Sequence, residues 1–269
     1  MTEDDHLSRP EWPISAEGWR ERKRLGRHVA ALTAYDYPTA RWLDEAGVDV
    51  LLVGDSLGMV VLGYPDTTHV TMSDMLRHTG AVARGASRAL VVADLPYGAC
   101  NSPADTVRHA RELIAVGAHA VKLEGGAAAE PQLCALAEAG VPFVGHIGML
   151  PQKVVEEGGY KRKGRSPEQA AALWADAKVG AQNGALAVVL EAVVANVARG
   201  ITGSIDIPTI GIGSGADTDG QILVTPDLVG AFPWFTPPFA VTLGNVAEVV
   251  YTSARTWVRA VHEGRPLRP

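Results

Sequence analysis

The chain has 269 residues, 47% of them hydrophobic, and a formal net charge of −6, with a pI near 5.7 and a mean hydropathy of +0.07. That fills one sizeable core, and it excludes a disordered polyelectrolyte and a membrane protein, since no apolar run approaches the roughly 20 residues that cross a bilayer. The acidic balance also argues against nucleic acid as a partner.

The N-terminus reads Thr2-Glu3-Asp4-Asp5, then Arg9-Pro10-Glu11, then a basic run from Arg20 to Arg27. A secretory leader needs an apolar core after a basic start, and a transit peptide is poor in acids, so neither is expected. The basic run reads as a solvated helix ahead of the first strand. Residues 1–27 are therefore read as a polar N-terminal segment and 28–269 as one catalytic domain. Cys100 and Cys134 share no metal or redox spacing and read as thiols of a reduced compartment, so the expected location is cytoplasmic.

Short apolar runs follow in order: Val29–Thr33, Val48–Val53, Ala89–Ala93, Ala120–Leu123, Pro142–Gly145, Ala187–Leu190 and Pro208–Ile212, with a weaker eighth at Gln221–Val224. Between them lie amphipathic stretches at Thr39–Ala46, Ser73–Arg84, Pro103–Val116, Glu130–Ala139 and Pro167–Asn183. Two of these open with Ser-Pro, a cap followed by proline in the first turn, and Gly47, Gly117 and Gly140 punctuate helix ends. Near-continuous apolar strands alternating with helices predict a parallel sheet covered on both faces. About eight such units in one domain favour closure, so the fold class is α/β, a single (β/α)8 TIM barrel with parallel strands. Ala231–Pro238 reads as an irregular segment packed on the barrel, and Asn245–His262 as a final helix.

The informative feature is what ends each strand. Asp55-Ser56 ends the second, Asp94 the third, Lys122-Leu123-Glu124 the fourth, His146 the fifth and Glu191 the sixth. A single acid at a strand end is usually a helix cap. Polar endings on five consecutive strands are harder to explain that way, because in a parallel barrel these positions converge on the face that carries active sites. Asp55, Asp94 and Glu124 supply hard oxygen ligands with no cysteine beside them, which suits Mg²⁺ or Mn²⁺ (Co²⁺ is also compatible) rather than zinc. Lys122, inside an apolar run, offers a cation to an anionic substrate. Such a site polarises a carbonyl and stabilises an enolate, with Glu191 as the proton-transfer group. Two glycine-rich loops leave alternatives open. Gly158–Arg165 is a lid over an anionic substrate or a flexible solvated loop, and Gly211–Gly215 a phosphate site or a tight turn.

These residues resemble the ketopantoate hydroxymethyltransferase family. The matching motifs are Thr33-Ala34-Tyr35-Asp36-Tyr37, Val53-Gly54-Asp55-Ser56-Leu57-Gly58-Met59, Ala93-Asp94-Leu95-Pro96-Tyr97, Val121-Lys122-Leu123-Glu124-Gly125-Gly126, Gly145-His146-Ile147-Gly148, Gly158-Gly159-Tyr160-Lys161 and Asp219-Gly220-Gln221-Ile222-Leu223-Val224. The resemblance implies a (β/α)8 barrel and Mg²⁺-dependent transfer of a hydroxymethyl group from 5,10-methylenetetrahydrofolate to 3-methyl-2-oxobutanoate, in pantothenate synthesis. It implies Asp55 and Asp94 as metal ligands, and Glu124 as the acid holding a metal-bound water. It further implies Ser56 and Lys122 as the groups binding the oxo acid, Glu191 as the general base, and His146 near the substrate. The implied partners are a small 2-oxo acid and a folate, with no nucleic acid and no membrane, in a homo-oligomer, often a decamer of two stacked rings.

Departures from the family pattern surround these residues: Thr68-His69 before Val70-Thr71, Met149-Leu150 before Pro151-Gln152, Ala192-Val193-Val194 after Glu191, and Pro237-Pro238-Phe239-Ala240-Val241 in place of a lysine-bearing segment. They leave room for a divergent paralogue coupling a different 2-oxo acid or aldehyde. An isocitrate lyase or phosphoenolpyruvate mutase type of enzyme is disfavoured because neither cysteine sits in a Cys-Gly-His-like loop. A catalytically silent scaffold subunit predicts decay among site residues that are all present.

Overall fold

The computed structural model describes residues 14–265; residues 1–13 of the expected polar segment lie outside the described residues. A first helix, α1 (Ala16–Arg24), precedes β1 (Val29–Thr33). Then follow α2 (Tyr37–Glu45), β2 (Val50–Val53), α3 (Leu57–Val60), α4 (Met72–Gly85), β3 (Leu90–Asp94), α5 (Pro103–Ala115), β4 (Ala120–Glu124), α6 (Glu130–Glu138), β5 (Phe143–Gly148), α7 (Pro167–Gln182), β6 (Val188–Glu191), α8 (Ala195–Ser204), β7 (Thr209–Ile212) and β8 (Gly220–Leu223). The eight strands form a closed barrel in sequence order, with neighbours parallel. The expected barrel and strand order are therefore observed, with strand ends shifted by up to three residues at β5.

The two apolar faces of each strand go to two separate cores, as the period-2 alternation of a strand requires. Val53, Val91, Val121 and Leu190 pack outward against the helices. Ala31, Val50, Leu52, Val92, Ala120, Val144, Val189, Ile210 and Ile222 point inward and fill the barrel. Closure between β8 and β1 is tight: a Cβ at Gly220 would lie 2.5 Å from the carbonyl oxygen of Val29, so only glycine lets the strands meet. The helix starts use the expected chemistry, with Ser102 and Ser166 accepting from the backbone N–H groups of Asp105 and Gln169. Gly47, Gly117 and Gly140 end their helices with positive φ.

The basic run differs from its expectation. It does form a helix, but α1 is not merely solvated: Trp19 is 4% exposed and joins the inner-barrel core. Arg22 is buried beside it and pairs with Asp49 at 2.8 Å, and Lys23 pairs with Asp219 at 3.0 Å. Cations that look like one surface run are thus divided, because a helix laid against the barrel must bury one face. Below Lys122 the barrel encloses a narrow cavity lined by Trp19, Val50, Val92, Val144 and Val189, which gives the site above it a dry, apolar floor.

The described chain divides into two compact units between Ile222 and Leu223. The second contains α9 (Thr225–Leu228) and α10 (Val246–His262), the latter matching the expected final helix. In α10 only Ala260 is buried. No described helix is long and apolar enough to cross a membrane.

Candidate active site

The register of the strands brings the polar strand ends together. Asp94 is directly opposite Lys122, Glu124 opposite His146, and Gly148 opposite Glu191. Lys122, Glu124, His146 and Glu191 continue the inward-facing series of Ala120, Val144 and Val189, so they line the barrel interior at its C-terminal mouth. Asp55 and Ser56 follow β2 directly. His146 lies within β5 rather than at its end, since that strand runs on to Gly148.

The contacts form a connected chain. Lys122 Nζ is 3.0 Å from Asp94 Oδ1 and 3.1 Å from His146 Nδ1. His146 Nδ1 is 3.5 Å from Glu124 Oε1, and its Nε2 is 3.1 Å from Glu191 Oε2. The backbone N–H of Asp55 donates to Asp94 Oδ2 at 3.0 Å. Ser56 Oγ shares a hydrogen bond of 2.8 Å with the Tyr35 hydroxyl.

Burial makes these charges interact strongly, because little water screens them. Asp55 is raised well above the usual carboxylate range, first by burial and then by the charges of Asp94 and Glu124. Burial also raises Asp94, although Lys122 pulls the other way. Lys122 loses by burial yet is held above the ordinary lysine range by Asp94, Glu124 and Asp55. For His146, burial and Lys122 oppose the charge, but Glu124 and Glu191 more than offset them.

A comparison within the chain shows that this is unlike ordinary structural burial. Asp44 is also buried, and burial opposes its charge, but the backbone N–H groups of Ala89, Arg88 and Ser87 hold its carboxyl below the usual range. At the mouth the opposite holds: Asp94 Oδ1, Glu124 Oε1 and His146 Nε2 are buried without an aligned hydrogen bond, despite the short ionic approaches. Buried polar atoms are rarely left so, and such exceptions call for an absent partner. A hard divalent cation suits the two adjacent carboxylates Asp55 and Asp94, and its charge would offset the burial and the repulsion that together raise Asp55. Among the described residues no group of three or more His, Cys, Asp or Glu side chains is placed to hold a metal ion. Mg²⁺ does not require one, since it keeps several waters and takes one or two carboxylates.

Several positions outside the sequence-based set build the site. The Gln152 side-chain N–H₂ donates to Asp55 Oδ2 at 2.7 Å, and its backbone N–H to Glu124 Oε2 at 3.1 Å. Ala192, next to Glu191, has φ of 49°, a left-handed conformation that costs a non-glycine residue energy and persists only when neighbours enforce it. They do: Ala192 N–H donates to Ile212 O, its carbonyl accepts from Lys163 N–H, and the Glu191 carbonyl accepts from Met149 N–H. Ser214, in the glycine-rich loop after β7, accepts from Val193 N–H at 2.9 Å and donates to Leu190 O at 2.7 Å. That loop is a tight brace for the end of β6. The basic loop is also pinned, with Lys163 bonded through its backbone to Ala192 and Val194, and Lys163 Nζ paired with Glu157. Tyr160 in this loop reaches Met59 Sδ at 3.5 Å. Cys100, a half-buried thiol pushed up to about 11 by burial, has no part in the site.

The family profile described as Ketopantoate hydroxymethyltransferase matches residues 14–266. Proteins named 3-methyl-2-oxobutanoate hydroxymethyltransferase are similar along most of their length. That of Acetivibrio thermocellus is 49% identical over 91% of this chain and 87% of its own. That of Pyrobaculum aerophilum is 52% identical over 87% of this chain and 89% of its own. Among solved structures, a phosphoenolpyruvate phosphomutase from Streptomyces platensis subsp. rosaceus superposes with a TM-score of 0.62 at 14% identity, covering 93% of this chain and 92% of its own. A 2,3-dimethylmalate lyase of the PEP mutase/isocitrate lyase superfamily gives 0.60 at 16% identity, covering 94% and 90%. At such identities the structural likeness establishes the barrel alone, so the mutase and lyase reading gains no chemistry from it. Sequence similarity of about half the residues along the whole barrel is a different matter, and by it the chain belongs to the ketopantoate hydroxymethyltransferase family.

Proposed function

We propose that this chain transfers a hydroxymethyl group from 5,10-methylenetetrahydrofolate to 3-methyl-2-oxobutanoate, giving 2-dehydropantoate for pantothenate and coenzyme A synthesis in the cytoplasm. The observation that carries this reading is the convergence of Asp55, Asp94, Lys122, Glu124, His146 and Glu191 at one barrel mouth, in a member of this family.

In this reading Asp55 and Asp94 would hold Mg²⁺ (Mn²⁺ or Co²⁺ would fit the same oxygens), and Glu124 would order a water of the site. When bound, the ion supplies Lewis acidity and charge neutralisation for the 2-oxo group. Ser56, tied to the Tyr35 hydroxyl, binds the substrate carboxylate. Glu191 accepts the proton from C3 of the oxo acid, with His146 Nε2 3.1 Å away to orient it. The released electron pair moves toward the 2-oxo oxygen, and the Lys122 ammonium holds that charge in a site too dry to screen it. Water adds to the folate's methylene carbon and both of its C–N bonds break, so that tetrahydrofolate leaves and the one-carbon unit is freed as formaldehyde. C3 bonds to that carbon, and its oxygen takes the proton held by Glu191 to become the new hydroxyl. His146 and Glu191 are close but poorly aligned, as catalytic hydrogen bonds often are before substrate binds.

The reading also includes self-association, supported by Val249, Val250, Trp257 and Val258, which face solvent on α10. Light scattering coupled to size exclusion measures it, and a monomer at micromolar concentration would contradict it. The test of activity is NMR of hydrogen–deuterium exchange at C3 of 3-methyl-2-oxobutanoate, with Mg²⁺, with and without the folate. Metal-dependent exchange, with 2-dehydropantoate appearing on addition of folate, is the expected result. Exchange without that product would mean the same enolate chemistry serves another electrophile, and no exchange would overturn the choice of oxo acid.

A further inference from the structure

We propose that Gln152 is a positioning residue of the metal centre, holding the Asp55 carboxylate in one orientation and fixing its spacing from Glu124. The proposal rests on the reading of Asp55 and Asp94 as metal ligands.

The geometry is specific. Both hydrogens of the Gln152 amide are committed, one to Asp55 Oδ2 at 2.7 Å and the other to the Leu95 carbonyl at 3.0 Å. Two acceptors flank the group, so the nitrogen, not the oxygen, must face them. Among the described residues this is the one hydrogen bond that the Asp55 carboxylate accepts, and it leaves the other oxygen for a cation. The backbone N–H of the same residue donates to Glu124 Oε2 at 3.1 Å. One residue thus grips an acid from the end of β2 with its side chain and an acid from the end of β4 with its main chain. Leu150, extended at φ −114° and ψ 107°, leads into a single 3-10 turn over Pro151–Lys153. The proline ring fixes φ at the start of that turn, which keeps Gln152 from drifting.

Other side chains fit this place badly. A lysine would add a charge that competes with the cation, and a glutamate would set a third carboxylate against Asp55. An asparagine is one methylene too short to reach both acceptors. Without the amide, Asp55 is free to turn toward the Lys122 ammonium, which already pairs with Asp94, and the two ligands no longer present oxygens to one point. Outer-shell partners of metal ligands commonly contribute about 10–100-fold in metal affinity.

The experiment is direct Mn²⁺ binding, read from the loss of the free-ion EPR signal, on the full chain and on Gln152→Met, Gln152→Ala and Asp55→Asn. Circular dichroism checks that each variant is folded. Methionine keeps the length and removes both donors; alanine provides the same loss if methionine is not accommodated. Mn²⁺ is expected to bind the Gln152 variants about tenfold or more weakly than wild type, and Asp55→Asn not measurably. In turnover, the Mg²⁺ concentration for half-activation should rise while the rate at saturating Mg²⁺ is largely kept, a split that a general loss of structure would not give. Wild-type affinity in folded Gln152→Met or Gln152→Ala, with binding lost in Asp55→Asn, would overturn the role of Gln152. Undiminished binding in Asp55→Asn, or none in wild type, would instead overturn the metal reading.

Discussion

Replacing Gly148 by alanine should displace the proposed base without touching a catalytic side chain. Gly148 ends β5 opposite Glu191 and has φ of 100°, a region that L-residues enter at a cost of about 1–3 kcal/mol. An added Cβ would lie 2.3 Å from the Glu191 carbonyl oxygen and 2.8 Å from Val193 Cγ2. Carbon and carbonyl oxygen ordinarily approach no closer than about 3.3 Å, so the end of β6 must retreat by about 1 Å. The bond from Met149 N–H to Glu191 O is stretched by the same movement. A misplacement of about 1 Å typically costs about 10²-fold in rate. The expected result is C3 proton exchange slowed about 10²-fold, with the melting temperature lowered by about 2–4 °C per kcal/mol in a chain of this size. Gly203→Ala is the control, because its Cβ would meet nothing within 4 Å. Gly148→Ala with wild-type exchange and melting temperature would refute the argument that Gly148 sets the position of Glu191.

Other outcomes follow from the same geometry. Glu191→Gln should keep 3-methyl-2-oxobutanoate binding, measured calorimetrically, and slow exchange by about 10²-fold or more; unchanged exchange would assign the base elsewhere. In metal-free protein Asp55 is raised in the folded state, so its contribution to stability is full below the ordinary carboxylate range of about 4 and is lost as pH rises through the raised value. Asp55→Asn in chelator should therefore melt higher than wild type at neutral pH, with the difference shrinking on acidification, and a constant difference would contradict the upward shift of Asp55 by burial and by its acidic neighbours. Adding Mg²⁺ should raise the melting temperature of wild type but not of Asp55→Asn. Trp19→Ala removes the aromatic plug of the inner core and should cost about 3–5 kcal/mol by denaturant titration; a loss below about 1 kcal/mol would mean that α1 is dispensable.

The sequence by itself determined the barrel and the composition of its mouth. Polar residues that end consecutive apolar strands are a local signal, and in a parallel barrel those ends converge on one face, so Asp55, Asp94, Lys122, Glu124, His146 and Glu191 were legible as one set. Helices lacking local signals were not: α3 is a single turn, and α8 has no side-chain cap and carries Gly200 and Gly203, which weaken a helical pattern. Tertiary structure decided what each charge is for. Asp44 and Asp55 are both buried acids, yet one is satisfied by Ser87, Arg88 and Ala89 and the other is opposed by Asp94 and Glu124. The same holds for Arg22, Gln152, Ser214 and the left-handed Ala192, whose roles consist of bonds to other strands and loops. Periodicity encodes which face of a strand a residue takes. Its partners exist only once the barrel has closed and brought residues distant in the chain to one end.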